Sequence, residues 1–197
     1  MTKKDAEMID SIGYTVGELA GEEAKRKFLE GSDKVAKAPA GSSAQSLSLW
    51  LKNAIDKLGS LIDEPTRIRI MEACGTRCAE INKRAIDSFV RRRQKYQSVD
   101  EYLAAEEKKP SRGTRLERKG NVVYFYYTPD TFRPGLRCYC SLWRGLPANA
   151  KVSRTYCHCS KAFVAKLWQT VLGKPVQVEL LQSCISGASE CKFAVHL

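Results

Sequence analysis

The hydrophobic pattern of this chain changes period near residue 110, and that change constrains its fold more than any other feature. Before it, apolar residues recur at spacings of three and four. Leu47, Trp50, Leu51, Ile55, Leu58 and Ile62 mark one side of an amphipathic helix. Glu18 to Leu29 is rich in Ala, Glu, Lys and Leu, which favour helix. Asp63-Glu-Pro-Thr66 offers an N-cap and an early proline, and Ile70, Cys74, Cys78 and Ile81 share one face of the helix that follows. Ile86, Phe89 and Val90 continue the pattern, and Ser98-Val-Asp-Glu101 reads as a capping box. Lys37-Ala-Pro-Ala-Gly-Ser-Ser43 is a breaker cluster and reads as a linker.

After residue 110 the pattern alternates. Thr114 to Arg118, a turn at Lys119-Gly120, and Asn121 to Thr128 read as a hairpin. Leu136 to Trp143 alternates and predicts a third strand, and Pro147-Ala-Asn149 turns the chain. Ser160 opens a predicted helix through Phe163, Val164, Leu167, Trp168 and Val171, stopped at Gly173. Pro175 to Leu181 and Cys191 to Leu197 complete the strands. The expected class is α+β: a helical N-terminal region, then an antiparallel sheet with a packed helix in the order strand-strand-strand-helix-strand-strand. Residues 1–110 form the helical region and 111–197 a cysteine-rich α+β domain, with the two expected to make one compact unit.

Charge follows the same division. Residues 1–110 hold 20 basic and 18 acidic side chains, whereas 111–197 hold 13 basic and 4 acidic, most of the net +11. Excess positive charge attracts anions. No apolar run approaches the roughly 18–20 residues needed to span a bilayer, and no apolar segment follows Lys3 and Lys4 as in a secretory signal. A cytoplasmic location is expected. Thiols stay reduced there, so paired cysteines point to metal or redox chemistry.

Eight cysteines are present. Cys138-Tyr-Cys140 lies in the predicted third strand, where i and i+2 project to one face and could clamp a soft cation such as zinc. Cys157-His-Cys159 repeats the spacing. If it is extended, His158 lies opposite the two sulfurs as a structural or solvent-facing residue. Cys184 and Cys191 flank a segment able to double back and bring them together. Cys74 and Cys78 are an i, i+4 pair, chelating in geometry yet set on an apolar stripe where cysteine also packs well. Glycine inside a helix is unfavourable, so Gly75 beside Cys74 implies a close approach by another segment. Among the many arginines of the second half, Arg115 and Arg137 are candidates to face a pocket, with Tyr124 and Tyr126 as an aromatic wall for a small anionic or planar ligand. No Walker loop, zinc-finger spacing or RNA-recognition motif is present, which disfavours a nucleic-acid partner.

Tyr156-Cys-His-Cys-Ser160, the following helix, Gly173-Lys-Pro-Val-Gln-Val-Glu179 and Cys184-x2-Gly187-x3-Cys191-x-Phe193 together resemble the 4-vinyl reductase (vinyl-four-reductase) domain over residues 112–197. The same tail is distantly similar to L-2-amino-thiazoline-4-carboxylic acid hydrolase-like proteins. Met71-Glu-Ala-Cys-Gly-Thr-Arg-Cys-Ala79 resembles a segment of uncharacterised prokaryotic proteins with that tail. The resemblance implies a Bet3-like α+β fold, a sensor-like role in binding a small molecule or metal, and cysteine ligands that fall here on Cys157, Cys159, Cys184 and Cys191. About one zinc per chain is expected from four such thiolates, with Cys138 and Cys140, or Cys74 and Cys78, as alternative ligands. Two further readings stay open: a cysteine-dependent hydrolase or reductase-like enzyme acting on a small carboxylated substrate, and nucleic-acid binding through the basic half. A homodimer also stays open.

Overall fold

A computed structural model of the chain describes residues 1–37 and 43–197. The linker expected at Lys37–Ser43 lies almost wholly outside the described residues. The chain is α+β, as the change of period predicts. Among the described residues, seven helices come first: α1 (Lys3–Ala20), α2 (Glu22–Leu29), α3 (Ser32–Ala36), α4 (Ser43–Leu61), α5 (Glu64–Ile81), α6 (Lys83–Arg93) and α7 (Val99–Lys108). Then come β1 (Thr114–Lys119), β2 (Val122–Tyr127), the short α8 (Pro129–Phe132), α9 (His158–Leu172), β3 (Gln177–Gln182) and β4 (Cys191–His196).

Local chemistry explains the boundaries. The Asp63 carboxylate accepts from the Thr66 amide at 2.7 Å, and Pro65 occupies the first turn of α5. Ser98 Oγ accepts from the Glu101 amide at 3.1 Å and starts α7. The helical stretch read from Glu18 to Leu29 is instead two helices, broken at Gly21, and α1 extends back to Lys3. Thr2 and Asp5 form a capping box at its start.

The four strands run antiparallel in the order β1-β2-β4-β3. The hairpin register pairs Arg115 with Tyr126 and Glu117 with Tyr124, and β2 pairs Tyr127 with Cys191. Leu116, Val123, Phe125, Phe193 and Val195 are buried on the inner face. Trp168 of α9 and Phe89 of α6 meet Phe125 there edge-to-face, at 5.6 and 6.1 Å between ring centroids. One hydrophobic cluster runs from Ile9 in α1 to Val195 in β4, so the helices and the sheet share a core.

The third strand expected at Leu136–Trp143 does not form. That segment is irregular and ends in a 3₁₀ turn, Ser141–Trp143. Leu142 and Trp143 are buried, and buried Ser48 of α4 donates to the Leu142 carbonyl at 2.8 Å and accepts from the Gly145 amide at 3.2 Å. The alternation therefore reflects a segment laced to a helix, not one paired in a sheet. The observed order is strand-strand-helix-strand-strand. The helix predicted from Ser160 begins earlier, at His158, led in by a 3₁₀ turn over Arg154–Cys157 that Ser153 caps.

Candidate functional site

The cysteines gather where α5, the first turn of α9, the 138–145 segment and the start of β4 meet. Helix α5 presents Cys74 and Cys78 one turn apart, and α9 crosses it closely. A Cβ built on Gly75 would clash with the Cys159 carbonyl oxygen and fall 2.8 Å from Ala162 Cβ, so the approach expected at this glycine is made by α9. It brings Cys159 beside Cys78 in the wall of one cleft.

Both Cys-x-Cys segments were expected to aim two sulfurs the same way. Neither is extended along a sheet, and in Cys157-His-Cys159 the sulfurs part. Residues 154–157 are 3₁₀ and 158 onward α-helical, a path that turns i and i+2 to different sides. Cys157 Sγ faces buried Ser183, 2.8 Å from its Oγ, while Cys159 faces α5. Cys138 Sγ accepts from the Cys140 amide at 3.4 Å, whereas Cys140 Sγ lies 3.7 Å from the Tyr156 hydroxyl.

Cys184 and Cys191 do come together. The Cys184 amide donates to Cys191 Sγ at 3.4 Å, while the Cys184 thiol donates to the Ser189 carbonyl at 3.5 Å. The connecting turn uses Gly187 at φ +115°, a conformation that side chains rarely adopt. Phe193, the last residue of the tail pattern, is fully buried.

The eight sulfurs thus sort into two sets. Cys138, Cys157, Cys184 and Cys191 interact electrostatically with one another on the sheet side. Cys74, Cys78, Cys140 and Cys159 do so on the helix side, and Cys138 with Cys140 joins the two sets. Each Cys-x-Cys segment gives one sulfur to each set. Of the expected ligands Cys157, Cys159, Cys184 and Cys191, three fall in the sheet-side set, and Cys138 stands there in place of Cys159.

Burial sets the thiol chemistry. It pushes Cys74 and Cys140 up to about 11 and Cys157 to about 12, because the interior disfavours a thiolate. Each set also holds one thiol whose pKa is lowered. The thiol hydrogen bond from Cys159, helped by Asn82 Nδ2 at 3.3 Å, brings Cys78 down to about 7 against its burial. The hydrogen bond from Cys184 likewise lowers Cys191. All eight cysteines are free. Among the described residues, no three His, Cys, Asp or Glu side chains are already arranged to hold a metal ion.

The arginines and tyrosines proposed as a ligand wall are otherwise engaged. Arg115 and Tyr126 stack across β1 and β2, with the guanidinium 3.5 Å from the ring centroid. The guanidinium also bonds Glu190 at 2.5 Å and contacts Glu117, which accepts from the Tyr126 hydroxyl at 3.0 Å. Tyr124 lies under Lys192, whose Nζ is 4.6 Å from its ring centroid. Arg137 makes none of these contacts and donates to the Pro147 carbonyl at 2.7 Å and the Cys184 carbonyl at 3.5 Å. His158 is half-buried, with Nδ1 3.6 Å from Glu72.

Sequence reasoning missed Tyr156, Ser183 and Asp5. Tyr156 is buried against Trp143, at 4.9 Å between ring centroids, and touches Cys140. Asp5 accepts from Ser141 Oγ at 2.6 Å, which ties the N-terminus of α1 to the turn after Cys140. For Ser183, adjacency to Cys184 was the one available signal. A cleft of about 20 Å³ opens beside the helix-side thiols, lined in part by Met8, Met71, Cys74, Cys78, Tyr156 and Cys159. It has room for an atom or ion, not for an organic ligand.

No known protein family and no curated protein matches the chain. Among solved structures it is similar to an H-NOX domain from Shewanella oneidensis, studied by NMR in the Fe(II)CO ligation state, with a TM-score of 0.42 and 12% identity over 96% of each chain. The α+β class rests on the helices and the sheet themselves. Among the described residues, no helix is long and apolar enough to cross a membrane.

Proposed function

We propose that this chain is a thiol-based, sensor-like metal-binding protein of the 4-vinyl reductase domain type, holding zinc through Cys138, Cys157, Cys184 and Cys191. The observation that carries the reading is the contact of Cys184 with Cys191 across the Gly187 turn, with Cys138 and Cys157 as their sulfur neighbours. Burial disfavours the thiolate forms of Cys138, Cys157 and Cys184. A soft divalent ion supplies compensating charge, displaces their protons and bonds the thiolates. Four thiolates would close the site and leave no open position, which favours binding over catalysis. The reading places the chain in the cytoplasm, where its eight cysteines would stay reduced. A small anionic or aromatic ligand is less well supported, because Arg115 and Arg137 already have acceptors.

The test is elemental analysis of untagged protein. Zinc bound in the wild type and lost from the Cys184→Ser/Cys191→Ser double variant supports the reading. Metal-free protein that also fails to take up zinc on reconstitution overturns it.

A further inference from the structure

We infer that a cleft between α4, α5 and residues 153–155 is an anion site that holds a single carboxylate on Arg67. Among the described residues, none of the proposed zinc ligands lines it, so the site is independent of the metal-binding reading. Its wall is largely apolar, with Ile55, Leu58 and Ile70, and its polar groups are Arg67, Ser153 and Thr155. Arg67 Nε is buried there and has no hydrogen-bond partner among the described residues. Arg77, Arg92, Arg115 and Arg118 form ion pairs with carboxylates, whereas Arg67 forms none among the described residues. Buried donors are nearly always satisfied, and a guanidinium cannot shed its proton to escape the cost of standing alone. An anion in the cleft supplies both the missing acceptor and the countercharge.

Gly59 of α4 sets how the guanidinium sits. A Cβ built there would fall 2.8 Å from Arg67 Nη1, so glycine, unfavourable within a helix, leaves room for the group against α4. With Nη1 turned toward α4, the Nε–Nη2 edge remains, and that edge grips a carboxylate through two parallel N–H bonds. Ser153 and Thr155 bring hydroxyls whose protons rotate to suit an acceptor. Thr155 Oγ1 makes a long 3.4 Å bond to exposed Glu64, weak enough to exchange for a ligand. The volume of about 20 Å³ takes one small polar group. One cation matches one negative charge, and apolar walls suit a short alkyl tail, which favours a monocarboxylate over phosphate. Arg115 and Arg137, the arginines expected to meet an anion, already have acceptors, and the unserved guanidinium lies in the helical region instead.

The test titrates acetate into the full chain at constant ionic strength, read by Tm and by saturation-transfer difference NMR. Saturable stabilisation by acetate is expected, with none from its neutral isostere acetamide. Arg67→Met removes the charge without stranding a partner, so it should fold and bind acetate about 10- to 100-fold more weakly. If that variant does not fold, Arg67→Lys carries the test: it keeps the charge, loses the fork, and should still bind acetate more weakly than the wild type. A wild type with no saturable response overturns the site, and so does a folded variant that responds to acetate as the wild type does. Tighter binding of inorganic phosphate than of acetate overturns the assignment to a carboxylate.

Discussion

The Cys159 carbonyl occupies the space that a side chain at position 75 would need, so Gly75 sets how closely α9 can approach α5. Both partners there are backbone or short side chain, and neither can yield. Gly75→Ala should destabilise the protein by about 1–3 kcal/mol through overpacking, even though alanine is the better helix former. Urea unfolding of the variant measures this. A midpoint equal to or above that of the wild type would show that the two helices are not held at this distance.

Ser48 predicts a second effect. Its fully buried hydroxyl serves the Leu142 carbonyl and the Gly145 amide together. Ser48→Ala leaves both without that partner, at a cost of about 1–3 kcal/mol. Because this lacing fixes the segment that carries Cys138 and Cys140, the variant should also bind metal more weakly. Unchanged stability and unchanged affinity together would rule out the lacing role.

A pH dependence follows from Asp5. Burial raises its pKa, but hydrogen bonds from Ser141 and from the Thr2 amide and hydroxyl, with Arg144 nearby, outweigh burial and leave it below the usual carboxylate value. A carboxyl with a depressed folded-state pKa stabilises the fold above its unfolded pKa of about 3.9, and that contribution is lost as pH falls through the folded value. Thermal unfolding between pH 3 and 6 should therefore show a smaller acid-induced loss in Asp5→Asn than in the wild type. Equal acid sensitivity in the two proteins would remove Asp5 from the account.

Arg92 and Glu106 predict a third stability change. Arg92 Nε bonds Glu106 Oε1 at 2.7 Å and its Nη2 bonds Oε2 at 3.3 Å, joining α6 to α7, and Glu106 is only 9% exposed. Arg92→Met should cost about 1.5–3 kcal/mol by stranding the carboxylate. The double variant Arg92→Met/Glu106→Met should recover much of that. A double variant as unstable as the sum of the two singles would argue against coupling between them.

Much of the fold is legible where chemistry is local. Asp63 with Pro65, Ser98 with Glu101, and the turn at Gly120 each mark an element end by groups within three residues of one another. The site is less legible because it depends on direction. The strand reading of Cys138-Tyr-Cys140 and the extended reading of Cys157-His-Cys159 both put the sulfurs together, and a short alternating segment cannot reveal that its backbone is irregular or helical. The start of α1 was missed for a related reason. Its cap at Thr2 and Asp5 is local, but Asp5 is also held by Ser141, which no nearby residue announces. Gly75 is the counterexample: an unfavourable residue inside a helix pointed to a close neighbour before the neighbour was known.

The sharing of each Cys-x-Cys segment between two sulfur sets has a consequence for how the molecule can be cut. A fragment beginning at residue 111 would inherit all of Cys138, Cys157, Cys184 and Cys191, but only Cys140 and Cys159 of the other set. The complementary fragment would inherit only Cys74 and Cys78. One set thus belongs to the C-terminal piece, and the other exists only when the two pieces are docked. The helix-side thiols would therefore meet only in the whole chain, across the close crossing of α5 and α9 at Gly75.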